Sequence, residues 1–220
     1  MKLVLASGSQ RRRELLTMCG YDYEIIVSNA DETIDENDPE SFVRALSFRK
    51  AKDVFDRLFA AGRREFAVIG SDTVVAFQKD GETKPVIIGK PKDAEDAVRI
   101  LSMLSGKTHR VFTGVSVIAD IPDENAAAQC SIRKKEEIQT ECSITEVTFE
   151  TLSPDEITDY VNSGDPLDKA GSYGIQGPFG MFVREIRGNY FTVIGMPIPV
   201  LYKMLKKIGI LPHGFYERIE

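Results

Sequence analysis

The first residues that could do chemistry come almost at once, in Leu5-Ala6-Ser7-Gly8-Ser9-Gln10-Arg11-Arg12. The short apolar run from Lys2 to Ala6 reads as a buried strand. The segment from Arg11 to Cys19 puts Leu15, Leu16 and Cys19 at helical spacing, with Gly20 as a natural stop. A strand therefore passes through Ser-Gly-Ser into a helix. The first amides of a helix have no partner within it, and the helix dipole puts positive potential there. Two hydroxyls can donate to an anion, Gly8 admits a close backbone approach, and an arginine fork can clamp phosphate oxygens. The same residues also read as a serine N-cap followed by solvated arginines, and the local sequence leaves both readings open. GxxxxGK[ST] is absent, so the turn is not a P-loop.

Other candidates are spread along the chain. Phe66 to Gly70 is an apolar run that suits a buried strand, and it delivers Ser71-Asp72-Thr73 at its carboxyl end, where ligands sit in open α/β sheets. Asp72 could hold a metal ion or activate water there, or serve as a turn residue. Asp31-Glu32 lies in an acidic loop and reads as a metal site or a solvated loop. Lys50 follows Arg49 on a long helix, and Lys90 is held in the rigid turn Gly89-Lys90-Pro91; each alone reads as a surface lysine. In Asp168-Lys169-Ala170-Gly171-Ser172-Tyr173-Gly174-Ile175-Gln176-Gly177 the glycines suit close approach to a flat ligand. Gln176 can both donate and accept at the edge of a base, with a glycine-rich connecting loop as the plainer reading. His109 reads as a structural, hydrogen-bonded histidine and His213 as a solvated one.

The elements that must position these residues follow from punctuation and periodicity. Tyr23 to Val27 reads as a strand. Pro39 opens a long helix whose apolar face includes Phe42, Val43, Leu46, Ala51, Val54, Phe55 and Leu58. Val74 to Phe77 and Val86 to Ile88 flank Lys79-Asp80-Gly81-Glu82 as a hairpin. Asp93 caps a helix from Ala94 to Leu104. Val111 to Ala119 and Ile144 to Phe149 read as strands, with a polar connection over 120–136 between them. Ser153-Pro154-Asp155-Glu156 starts a helix. Phe182 to Ile186 and Tyr190 to Ile194 flank Arg187-Gly188-Asn189 as a second hairpin, and Pro197 opens a last helix to Ile208. Helices alternating with hairpin-joined strands predict an α/β protein with a mixed sheet.

Composition narrows the classes. The 220 residues suffice for one sizeable core, read as a single domain over 1–220. The net charge of −6 argues against a nucleic-acid backbone as partner, because the basic residues are scattered apart from Arg11-Arg12-Arg13 and a short run at 133–135. No apolar run is long enough for a membrane helix and no signal peptide is apparent, so a cytoplasmic location is expected. Cys19, Cys130 and Cys142 have no CxxC spacing and read as isolated thiols.

Taken in order, these segments resemble the Maf family of nucleoside triphosphate pyrophosphatases over nearly the whole chain, from about Lys2 to about Leu205. The family's LASxSPRRxELL is LASGSQRRRELL here. Its Asp-Thr after a buried strand is Asp72-Thr73, its GKP turn is Gly89 to Pro91, its LSGxxHxVxTGV is Leu104 to Val115, and its DKAGxYGIQG is Asp168 to Gly177. The resemblance implies hydrolysis of a nucleoside triphosphate to the monophosphate and pyrophosphate with a divalent cation, usually Mg2+. It implies an elongated α/β fold with a mixed sheet and a cleft between two lobes, and a homodimer. Tyr173-Gly174-Ile175-Gln176 points to the branch that prefers dTTP and UTP rather than the one that prefers 7-methyl-GTP. Carried over by position, Asp72 is the catalytic base, and Arg11, Thr73 and Gln176 are tied to base choice. Ser7, Ser9, Arg12, Glu32, Lys50 and Lys90 map onto the polar cluster around the phosphates and metal, with Glu32 and Asp72 at the metal. Gln10 departs from the family's proline. It gives up a preset helix dihedral and adds one N–H to the cradle. Another reading is a nucleotide-binding regulator of cell division or septum formation with little turnover, against which the intact Asp72, Glu32 and lysines count.

Overall fold

A computed structural model describes residues 1–79, 81–121 and 135–214. Its centre is a mixed sheet of seven strands: β1 (Lys2–Leu5), β2 (Glu24–Ile25), β3 (Phe66–Phe77), β4 (Val86–Ile88), β5 (Thr108–Ile121), β6 (Lys135–Phe149) and β7 (Val183–Arg187), in the order β2-β1-β3-β5-β6-β7 with β4 also on β3. β1 runs parallel to β2 and to β3; every other pairing is antiparallel. Among the described residues six α-helices flank it: α1 (Gln10–Met18), α2 (Pro39–Ala60), α3 (Ala94–Leu104), α4 (Pro154–Asn162), α5 (Tyr190–Ile194) and α6 (Ile198–Lys207). The mixed α/β class expected from the sequence is the one found.

Local signals place most elements. Asp38 accepts from the Ser41 amide and Pro39 sits in the first turn of α2. Asp93 caps α3 through the Asp96 amide, and Ser153 with Glu156 forms a reciprocal capping box on α4. The core is divided. One cluster packs Leu15, Leu16, Leu201 and Leu205 on one face of β1, β3 and β5, and another packs Ala51, Val54 and Phe55 of α2 on the opposite face. A third gathers Leu101, Leu104, Phe149, Tyr160 and Phe179 around α3 and α4, and Ile175 packs against both this cluster and the first.

Two expectations are corrected. The strand read as ending at Gly70 continues to Phe77, so Ser71-Asp72-Thr73 lies inside β3 and not beyond its end. Tyr190 to Ile194 is not the second arm of a hairpin but the helix α5. Its β-branched and aromatic residues favour a strand, but Asn189 accepts from the Phe191 amide at 2.8 Å and Gly195 ends the turn with φ 108°. Thr145 on β6 fixes Asn189 by bonds to both its amide and its carbonyl. Asp80 and residues 122–134, which include most of the polar connection and Cys130, lie outside the described residues. Cys19 and Cys142 are free thiols.

His109 is the structural histidine its setting predicted. It is buried, with Nε2 3.0 Å from Tyr173 Oη and its ring edge-on to Phe149 at 4.7 Å. Burial pushes its pKa down to about 3. The unfolded chain, with an ordinary pKa near ~6.5, takes up the proton first, so this contribution to stability is whole above ~6.5 and is lost as pH falls towards 3, by about 1.4 kcal/mol per unit. In urea unfolding between pH 4.5 and pH 7, a His109→Gln variant is expected to show a pH slope shallower than the parent's by about 1 kcal/mol per unit. Parallel slopes would mean that His109 is not held neutral. His213 is exposed and pairs with Asp22 at 2.9 Å.

Candidate active site

The site forms where the sheet is incomplete. On the side of β3 away from β5, β1 pairs with residues Phe66 to Ile69 and β4 pairs with Val75 to Phe77. Between them, among the described residues, Gly70 to Val74 has no strand neighbour on that side, although β5 continues along the other. The alternation of a strand sends Asp72 to the α2 face of this window and Ser71 and Thr73 to the opposite face.

Two features bring α2 close enough to serve the window. Gly70 and Gly114 lie on the face that α2 covers, and a Cβ on either would fall 2.1 Å from the Ser47 carbonyl oxygen or 2.2 Å from that of Val43. Lys50 then reaches over the sheet, with Nζ 2.7 Å from Asp72 Oδ1 and 3.0 Å from Glu32 Oε1. Asp72 is buried and Glu32 exposed, so the lysine ties the acidic loop to the window. Arg49, which sequence reasoning passed over, holds the same loop by donating to the carbonyls of Asp31 and Thr33, both at 2.8 Å. Its position beside Lys50 was the available signal.

On the other face Arg12 ties three elements together. Nε donates to the Gly195 carbonyl at 2.8 Å, Nη1 to Ser7 Oγ at 3.0 Å and Nη2 to Thr73 Oγ1 at 3.4 Å. A guanidinium has five N–H groups, so two remain for a ligand. Burial lowers its pKa; Asp72 and Glu32 oppose that shift and Arg11 adds to it, so the charges of both carboxylates converge here. Gly195, at the end of α5, also lies 3.0 Å from Ser71 Oγ, whose single proton it shares with the Gly114 carbonyl at 2.9 Å. It was not foreseen, because the segment before it was read as a strand.

Ser9 occupies the N-cap position of α1, yet its side chain makes no capping bond. The first helical hydrogen bond is Arg13 N to Ser9 O, so the amides of Gln10, Arg11 and Arg12 precede the ladder, and no acidic residue lies in the first turn. Gln10 starts the helix and donates to Glu14 at 2.8 Å. Arg13 folds back onto the Gly8 carbonyl at 3.3 Å and so closes the turn from behind. Amides left outside the ladder in this way suit an anion.

The glycine-rich segment closes the third side. Arg11 reaches Asp168 Oδ2 at 3.4 Å. Burial raises the Asp168 pKa, but a hydrogen bond from Lys169 and the charges of Arg11, Lys169 and Lys90 outweigh it and hold the carboxyl below its usual value. The Gly171 amide donates to the Gly89 carbonyl at 3.0 Å, which fixes the Lys90 turn against this segment. Tyr160 Oη accepts from the Gly174 amide at 3.0 Å and donates to Asp165. Gln176 is exposed, and among the described residues nothing holds its amide. Ser7, Arg11, Arg12, Glu32, Lys50, Asp72, Thr73 and Lys90 are thus linked by bonds or charge, and Ser9 joins them through its amide, which donates to Ser7 Oγ at 3.3 Å.

No three His, Cys, Asp or Glu side chains form a metal cage among the described residues. Two carboxylates, Asp72 and Glu32, flank one cation, the Lys50 ammonium. Such a set fits a hard divalent ion that takes the rest of its shell from water and substrate oxygens. A separate cavity of about 450 Å³ lies at the opposite end of β1, lined by residues including Lys2, Tyr21, Glu24 and His213 and by none of those at the window. No helix among the described residues is long and apolar enough to cross a membrane.

Comparison with known proteins bears on what the window does. The model of the Maf-like protein family matches residues 2–208. A dTTP/UTP pyrophosphatase of Agathobacter rectalis is 39% identical, over 95% of this chain and 98% of its own length. The dTTP/UTP pyrophosphatase of Bacillus thuringiensis subsp. konkukian is 42% identical, over 95% and 96%. The structure of the Staphylococcus aureus Ham1 protein superposes with a TM-score of 0.50 at 14% identity, covering 94% of this chain and 99% of that one, and so shares the fold.

Proposed function

Because this chain belongs to the Maf family, we propose that it is a nucleoside triphosphate pyrophosphatase that hydrolyses dTTP and UTP to the monophosphate and pyrophosphate. The observation that carries this reading is Asp72. It is a buried carboxylate, inside a strand, at the one stretch of β3 between β1 and β4, with cations on both faces of the sheet.

The residues divide the work. The leading amides of α1, the Ser9 hydroxyl, the spare N–H groups of Arg12, and Lys50 and Lys90 bind the triphosphate and neutralise its charge. Asp72 orients a water and takes its proton as the water oxygen bonds to the α-phosphorus. The bond from that phosphorus to the bridging oxygen breaks, and pyrophosphate leaves with the electron pair. Glu32 and Asp72 would hold a divalent cation, Mg2+, whose contribution is to neutralise charge on the phosphate oxygens. Arg11, Thr73 and Gln176 choose the base. Gln10 leaves activity intact and changes affinity only slightly. The enzyme works as a cytoplasmic homodimer.

The experiment is a panel of canonical and modified nucleoside triphosphates, scored for pyrophosphate release with Mg2+ and again with a chelator. Release from dTTP and UTP that the chelator abolishes is the expected result. Activity on 7-methyl-GTP alone would move the chain to another branch, and none on any nucleotide would favour a binding role without turnover.

A further inference from the structure

The face of the sheet opposite α2 carries a row of hydroxyls. Thr73 on β3 stands in register with Thr113 on β5, and Thr113 with Ser143 on β6. Thr73 Oγ1 lies 3.0 Å from Thr113 Oγ1, and Thr113 Oγ1 lies 2.7 Å from the carbonyl oxygen of Thr192 in α5. Ser143 holds the Thr192 hydroxyl at 2.7 Å. Thr113 is fully buried, whereas Thr73 is half-buried at the window.

The protons in this row can be assigned one by one. A hydroxyl has a single proton, and a carbonyl can only accept. The Thr113 proton therefore goes to Thr192, and Thr113 has only lone pairs to offer Thr73. Thr73 must spend its own proton on Thr113. Arg12 Nη2, which can only donate, takes one Thr73 lone pair at 3.4 Å. What Thr73 has left for anything in the window is an acceptor. Such a group repels a phosphate oxygen, itself an acceptor, and suits a ligand N–H.

We propose that Thr113 is a positioning residue for base choice: it fixes the Thr73 hydroxyl as an acceptor. The site then selects a base with a ring N–H, as in thymine and uracil, over one with a ring lone pair, as in cytosine. The assignment rests on the dTTP and UTP reading above and adds the direction of the hydrogen bond and the residue that sets it. Valine at 113 matches the shape of threonine but accepts nothing. The Thr73 proton would then be free to turn into the window, where a cytosine ring nitrogen could receive it.

The test is calorimetric binding of non-hydrolysable α,β-methylene analogues of UTP and CTP, with turnover of UTP, dTTP and CTP measured beside it. The parent is expected to prefer the UTP analogue. Thr113→Val is expected to lose about tenfold of that preference or more, roughly the worth of one hydrogen bond. Thr113→Ser, which keeps the hydroxyl, is expected to retain it, and Thr73→Val to lose it. If the valine variant does not fold, Thr113→Cys, whose thiol is a weak acceptor, is expected to lose at least about threefold. A parent without preference, or a preference unchanged in Thr113→Val or its cysteine substitute, would overturn the proposal. Equal weakening of both analogues would assign the acceptor to a sugar hydroxyl and overturn it as well. A parent that prefers the UTP analogue but releases no pyrophosphate would instead sink the hydrolase reading and leave the role of Thr113 standing on the binding data.

Discussion

An Asp72→Asn variant is expected to lose turnover by about a thousandfold while binding nucleotide as well as the parent or better. The two carboxamide atoms fill the space of the carboxylate, and the amide oxygen can still accept from Lys50, which lies 2.7 Å from Asp72 Oδ1. The window should therefore keep its shape. What disappears is the negative charge, and with it the proton acceptor and half of the carboxylate pair that would hold a cation. Removing a negative charge beside a triphosphate weakens repulsion, so affinity should not fall. Pyrophosphate release and calorimetric binding of a non-hydrolysable UTP analogue separate the two effects. Turnover equal to the parent's would show that Asp72 is not the base, and a parallel loss of binding would make it a structural residue.

The second large effect is on stability. Gly70→Ala should destabilise the fold by about 3 kcal/mol, because its Cβ would meet backbone atoms that cannot turn aside. They are the Ser47 carbonyl oxygen at 2.1 Å and the Ala51 amide nitrogen at 2.7 Å, both in α2. The helix must lift off the sheet, and Lys50 with it. Gly89→Ala is the contrast, since a Cβ there has no neighbour within 4 Å. Its effect on stability should stay within about 0.5 kcal/mol. Urea unfolding checks both: the midpoint of Gly70→Ala should fall with little change in slope, and a midpoint like the parent's would contradict the close approach of α2.

The sequence alone carried the features that local chemistry dictates. β1 with its Ser-Gly-Ser turn, the caps at Asp93 and Ser153, the proline that opens α2 and the mixed α/β class were all legible, because each depends on a few neighbouring residues. The ordered motifs also named Ser7, Arg12, Lys50, Asp72 and Thr73, which the fold joins by bonds, and Gln176, which it leaves exposed. The close approach of α2 was not read, because Gly70 was taken for the end of a strand; a glycine inside a strand, as Gly70 and Gly114 prove to be, marks a place where something comes near.

The tertiary structure decided what those residues are joined to. Asp72 and Thr73 are adjacent in sequence, yet the pleat of β3 sends one to Lys50 and the other to Arg12. The window exists because β1 stops pairing at Ile69 and β4 begins at Val75, and no local signal records where a neighbouring strand ends. Arg12 reads in sequence as a free phosphate clamp, but it spends part of its fork on Ser7, Thr73 and Gly195. Tyr190 to Ile194 has strand-forming residues and becomes a helix because Asn189, held by Thr145 across 44 positions, caps it. That helix and its C-cap supply the two carbonyls, from Thr192 and Gly195, that orient Thr113 and Arg12. Such pairings join residues far apart in the chain, and their energies depend on which groups the fold leaves without water. A single sequence read segment by segment therefore names the participants, and only the assembled sheet fixes their partners.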